Sequence, residues 1–158
     1  MARMDDSRCF CTIITASFLP YARALRDSYA RFYDIPLKVL VVDSDAVEDK
    51  ALDILTMADL ADLPITEKIR AKYMGDPDRI RWCMKPVLLE YLLSESGYDS
   101  AIFIDPDLCF FSDPSFLFVE LSKCNVLLSP HWRSSDPEAD PVNFERNFRD
   151  GIYNGGMV

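Results

Sequence analysis

The sequence predicts an α/β fold in which a mostly parallel sheet is covered by helices on both faces. Three observations carry that expectation. The runs at 9–16, 37–42 and 100–105 are near-continuously apolar over strand-like lengths, as in strands buried on both sides. Stretches with helical spacing separate them, which is the alternation of a parallel sheet. Each run also closes on short polar or acidic residues: Thr15-Ala16-Ser17, Asp43-Ser44-Asp45 and Asp105-Pro106-Asp107. Open α/β sheets bind ligands beyond these carboxyl ends.

The elements follow in order. Residues 1–8 have no apolar core and are expected to be a disordered tail, not a secretory signal. After the first strand, Phe18, Tyr21, Ala22, Leu25, Tyr29, Phe32 and Tyr33 are spaced to share one face of a helix that Pro36 ends. Leu37 to Val42 is a second buried strand. The acidic stretch at about 46–60 reads as a weaker helix, and 65–75 as another before the Gly75-Asp76-Pro77-Asp78 turn. From Trp82 to Glu95 a helix either begins at Pro86 or is kinked there, with Gly97 closing it. A strand at 100–105, a short helix at 115–122 and a strand at 125–129 come next. Residues 130–150 read as a long Pro-punctuated loop, with at most a helical turn near Phe144 to Phe148. Ile152 to Val158 is apolar and reads as the middle of a further strand, so the chain is expected to be C-terminally truncated and to self-associate through an exposed strand edge.

Composition narrows the function classes. A net charge of −9 argues against non-specific nucleic-acid binding and against a polybasic membrane foot. No run approaches the roughly 18 apolar residues of a membrane span. Cys9, Cys11, Cys83, Cys109 and Cys124 lack metal-type spacing and mostly lie in apolar segments. They read as reduced core residues of a cytoplasmic protein.

The chemistry concentrates at Asp105 and Asp107. In an extended segment, residues two apart point to the same side, so both carboxylates can aim at one point. Pro106 stiffens the turn away from the sheet. Two carboxylates so placed repel unless a cation sits between them, and Mg²⁺ or Mn²⁺ would leave coordination positions open for phosphate oxygens. The alternative is a turn whose aspartates cap backbone. Elsewhere, His131 reads as structural or as lining an acceptor site, and Asp43 as a nucleotide contact or a helix cap. Glu67, Lys68, Arg70 and Lys72 read as a solvated helix face, and Trp82 and Tyr91 as core. Asp136, Glu138 and Asp140 are given no chemistry.

Taken together, Lys85 to Asp113, Cys11 to Tyr21 and Tyr153 to Val158 resemble GT-A glycosyltransferases, in the same order along the chain. The likeness is to the retaining group of glycogenin and the bacterial lipooligosaccharide galactosyltransferases; residues 46–80 hold no matching motif. The resemblance implies that 9–158 is the nucleotide-sugar-binding part of a metal-dependent glycosyltransferase domain, with a UDP-sugar as donor and a glycan, lipid or protein acceptor. It implies that Asp105 and Asp107 hold Mn²⁺ on the donor diphosphate and that Thr15, Ala16, Ser17 and Tyr21 meet uracil and ribose. Lys85 would reach the donor, and Asn154 and Gly156 would face its sugar. The family's late histidine ligand and glycine-lysine phosphate contacts have no counterpart here. Retention of the anomeric configuration follows from the resemblance alone.

Two other readings compete. A haloacid-dehalogenase-like phosphohydrolase also places Asp-x-Asp after an apolar strand, but on its first strand and without the Leu108-Cys109 continuation seen here. A fragment that binds nucleotide without transferring sugar is the other.

Overall fold

The computed structural model describes residues 7–131 and 133–158. Its centre is a four-stranded parallel sheet made of β1 (Arg8–Ile14), β2 (Leu37–Val41), β3 (Asp53–Thr56) and β4 (Ser100–Phe103). The spatial order is β3-β2-β1-β4, with Phe10 opposite both Leu37 and Ile102. β1 starts at Arg8, and the Ser7 carbonyl accepts from the Asp99 and Ser100 amides, so these two residues belong to the fold and not to a tail. Residues 1–6 lie outside the described residues.

Strand alternation sorts the core into two halves. Cys9, Cys11, Ile13, Leu40, Val42 and Phe103 face α2 (Pro64–Lys72) and α3 (Pro77–Ser94) through Ile69, Ile80, Met84, Val87, Leu88 and Leu92. Phe10, Ile14, Val39, Val41, Ile102 and Ile104 face α1 (Leu19–Ala30) and α4 (Phe116–Leu121) through Ala22, Leu25, Tyr29, Leu117 and Phe118. Each Val, Leu, Ile, Phe or Met among them contributes about 1.5–3 kcal/mol by leaving water. Both faces are covered, as the continuous apolar runs require.

Several elements differ from the sequence expectation. The helix α1 ends at Ala30, well before Pro36, and buries a narrow stripe; Tyr21 and Phe32 stay exposed. In place of an acidic helix over 46–60, the chain forms the edge strand β3 and tight turns. Lys38 pairs with Asp53 in register, while Ile54 and Leu55 pack on opposite halves of the core. Helix α3 begins nine residues before Pro86 and passes through it. Asp76 accepts from the Arg79 amide at 3.1 Å, Pro77 takes the first helical position, and Pro86 faces solvent, where its missing N–H is tolerated.

The C-terminal third departs further. Instead of a strand over 125–129, only β5 (Ser129–Pro130) forms, pairing antiparallel with β6 (Tyr153–Asn154). Between them lies α5 (Pro141–Asp150), where a loop was expected. Asp140 caps it by accepting from the Asn143 amide at 3.1 Å. The apolar end Ile152 to Val158 is not one strand. Tyr153 and Asn154 form β6, and beyond Gly155 the chain runs antiparallel beside β4. There the Phe103 and Val158 amides each donate to the other residue's carbonyl, and Met157 bridges Ile104.

All five cysteines are free. Cys9 and Cys11 are core residues, but Cys109 and Cys124 are exposed because they lie in irregular segments, after β4 and after α4 respectively. Burial pushes the Cys9 thiol up to about 12 and raises Cys11 well above its ordinary value. N-ethylmaleimide at about pH 8 is therefore expected to label Cys109 and Cys124 in the native chain and to spare Cys9 and Cys11. Peptide mass spectrometry reads this, and native labelling of Cys9 would contradict the buried first strand. No helix among the described residues is long and apolar enough to cross a membrane.

Candidate active site

Three strand ends meet at one edge of the sheet. After β1 the chain makes a 3-10 turn over Ala16–Phe18, closed by the Phe18 amide on the Thr15 carbonyl at 2.9 Å. The Thr15 and Ser17 hydroxyls sit 2.9 Å apart. Asp43, at the end of β2, takes the Ala16 amide at 2.8 Å. This carboxylate thus braces the first turn; no helix follows it to be capped.

The end of β4 is tied just as closely. The Ile104 amide donates to the Cys11 carbonyl at 2.8 Å and the Asp105 amide to the Gly156 carbonyl at 2.7 Å. Lys85, on the third turn of α3, places its Nζ 3.0 Å from Asp105 Oδ1 and 2.8 Å from the Gly155 carbonyl, above the Phe103 ring. Gly156 fits against the same carboxylate so closely that a Cβ there would lie 2.8 Å from Asp105 Oδ2. Asn154 Oδ1 accepts the Gly156 amide at 2.9 Å and so shapes that approach.

A cleft of about 310 Å³ opens at this edge. It is lined by Asp105, Pro106 and Asp107 after β4, by Arg81, Trp82 and Lys85 of α3, and by Ile13 and Phe18 at the end of β1 and its turn. The structure thus brings together Asp105, Asp107 and Lys85. Thr15, Ala16 and Ser17 lead directly into Phe18, and Tyr21 stacks on that ring with centroids 5.0 Å apart. Gly156 meets Asp105 from behind. Asn154 reaches the site only through Gly156, and His131 joins the β5–β6 pair through its amide on the Ile152 carbonyl, outside the cleft lining.

Sequence reasoning missed Arg81 and misplaced Trp82. Trp82 is 64% exposed and lines the cleft, because α3 turns that side past the end of the sheet where no strand covers it. Tyr91, two turns on, does pack against the core. Glu67, Lys68, Arg70 and Lys72 are a solvated face, as expected. Asp136 and Asp140 accept backbone amides in turns and a helix cap.

Among the described residues no group of three or more His, Cys, Asp or Glu side chains converges as a metal site. Asp105 and Asp107 supply two carboxylates at the cleft mouth. That donor set suits a hard divalent ion whose remaining positions are taken by water and phosphate, and not an all-protein cage.

The fold is GT-A-like: a parallel four-stranded sheet flanked by helices. Over 95% of this chain and 65% of the other, it matches the crystal structure of mouse xyloside xylosyltransferase 1 in its apo form, with a TM-score of 0.54 at 16% identity. In sequence the chain is similar to two uncharacterized proteins of Bacillus subtilis (strain 168). YfnF is 32% identical over 127 residues, and YfnD is 28% identical over 159. These matches span 41% and 48% of the relatives, so the chain covers about half the length of either. No family model matches it.

Proposed function

We propose that the chain forms the donor-binding part of a glycosyltransferase that uses a nucleotide-diphosphate sugar, with UDP as the nucleotide. The observation that carries this reading is the cleft of about 310 Å³ at the carboxyl edge of a GT-A-like sheet, lined by Asp105, Asp107 and the Lys85 that pairs with Asp105. The residue likeness to the glycogenin and lipooligosaccharide galactosyltransferase group supports the choice of a sugar donor over a simple phosphate ester.

Each group then has a task. Asp105 and Asp107 would hold Mg²⁺ or Mn²⁺, which when bound supplies positive charge to the departing diphosphate. Lys85 keeps Asp105 oriented and adds a cation to the same cleft. The Thr15–Ser17 turn, fixed by Asp43, offers short hydroxyls and backbone to the base and ribose, with Tyr21 and Phe18 as an aromatic surface beside them. Sugar transfer to a glycan, lipid or protein acceptor is the reaction proposed for the protein that contains this part.

Calorimetry with UDP tests the reading. Affinity is expected to be at least tenfold higher with Mn²⁺ than with EDTA. Tyr21→Ala, at an exposed position, is expected to weaken UDP several-fold while the thermal midpoint stays nearly unchanged. Absence of UDP binding in the presence of Mn²⁺ would remove the proposal. A fall in stability with unchanged affinity would return Tyr21 to a structural role.

A further inference from the structure

Lys85 has little left to offer the charge of a diphosphate, because two of its three N–H donors are already engaged. Its Nζ is shared between Asp105 Oδ1 and the Gly155 carbonyl. With Asp107 and the Lys85-paired Asp105 also lining it, the cleft presents more negative than free positive charge to an anionic ligand. Among the described residues one other cation lines it: Arg81, a single helical turn before Lys85 and therefore on the same face of α3.

The state of Arg81 is unusual for a surface arginine. Its side chain is 22% exposed, its guanidinium stands 5.5 Å over the Phe18 ring, and its Nε is buried with no hydrogen-bond partner among the described residues. A buried guanidinium N–H left without a hydrogen-bond partner is unfavourable, since its desolvation is uncompensated. The ion pair it makes among the described residues, Nη2 to Asp78 at 2.6 Å, uses a carboxylate that is itself 63% exposed, and such exposed partners neutralise little. Packing on Phe18 holds the guanidinium plane at the cleft while part of its donor fork remains available.

We propose that Arg81 is the phosphate-binding cation of this cleft, taking non-bridging oxygens of the donor's diphosphate on its guanidinium. The inference rests on the nucleotide-sugar reading above and adds to it a residue with a distinct role. Asp105 and Asp107 act through a metal; Arg81 acts directly and contributes with or without one. Bidentate guanidinium–phosphate contacts are among the strongest single polar interactions a site can offer.

The test compares ligands with and without phosphate on the full chain, in Mn²⁺ and in EDTA. Arg81→Met keeps the packing on Phe18 and removes the donors. It is expected to weaken UDP about tenfold or more in both conditions and to leave uridine, followed by ligand-observed NMR, unchanged. Arg81→Lys is expected to recover part of the loss. Asp78→Asn frees the guanidinium and is expected to preserve or tighten UDP binding. Equal loss of UDP and uridine in Arg81→Met, or the same loss in Asp78→Asn, would show that Arg81 merely braces the helix and would overturn the assignment. Unchanged UDP binding in Arg81→Met, while Asp105→Asn still weakens it, would overturn the Arg81 role and leave the donor site standing. A wild-type chain that binds no UDP would end both.

Discussion

The Asp105→Asn/Asp107→Asn variant is expected to lose all metal enhancement of UDP binding, falling to the affinity that the unaltered chain shows in EDTA. Removing two charges while keeping side-chain size takes away the ligands a hard cation requires. A loss of two orders of magnitude, about 3 kcal/mol, is the expected size. The fold should tolerate it. Lys85 keeps the Gly155 carbonyl, and Asp105 is only half-buried, so its ion pair is worth about 1 kcal/mol at most. The thermal midpoint should then move by no more than about 4 °C for a chain of this size. Calorimetry with and without Mn²⁺ decides the matter. Metal-dependent affinity that survives in the double variant would mean that these aspartates only shape the turn.

The largest stability effect is expected at Phe10. Its side chain is fully buried in β1 and meets three rings: Tyr29 at 5.0 Å, Phe118 at 5.3 Å and Phe110 at 5.7 Å between centroids. Phe10→Ala should cost about 3–5 kcal/mol, since these contacts come from three different segments and cannot all close on the void. Native domains have only about 5–15 kcal/mol in total, so much of the chain's stability would go. Urea titration should show a lower midpoint at an unchanged slope. Phe116→Ala, at a 57% exposed position of α4, is the control and should change stability by about 0.5 kcal/mol or less. Equal small effects at both positions would mean that the α1–α4 half of the core is loosely packed.

How much was legible in the sequence depended on what each segment buries. β1, β2 and β4 are sandwiched between two helical layers, and their apolar runs announced them. β3 is a four-residue edge strand with one neighbour, and its Asp53 is set against Lys38; so short and polar a segment offers no period to read. The helix starts at Asp76-Pro77 and Asp140-Pro141 carry the same capping aspartate and first-turn proline, and that signal was readable at both. Pro86 inside the first helix and the polar, Pro-punctuated sequence around the second mask it. At the site, Asp105 and Asp107 stood out through motif and spacing, and Lys85 and Gly156 only through the resemblance to GT-A glycosyltransferases. Trp82 did not, because an apolar residue on a helix looks the same in sequence whether a strand or an open cleft lies opposite it. Arg81 did not for a related reason: only the fold shows that its buried nitrogen is left without a partner.

The order in which this sheet can be assembled follows from its register. β1 and β2 join segments about 27 residues apart, and β2 and β3 join segments about 15 apart, whereas β1 meets β4 across about 92. Loop-closure entropy makes the last pairing the slowest to gain, and contacts of long sequence separation are formed late when rates follow topology. Lys85 and Asp105 come together only when that closure is complete, and Gly155 and Gly156 must then dock along β4 as well. An ensemble that has formed β1–β2–β3 alone would contain the first turn and Asp43 but no competent cleft. Ligand therefore binds only the fully closed state, and its binding energy is added to the stability of the longest-range pairing in the chain.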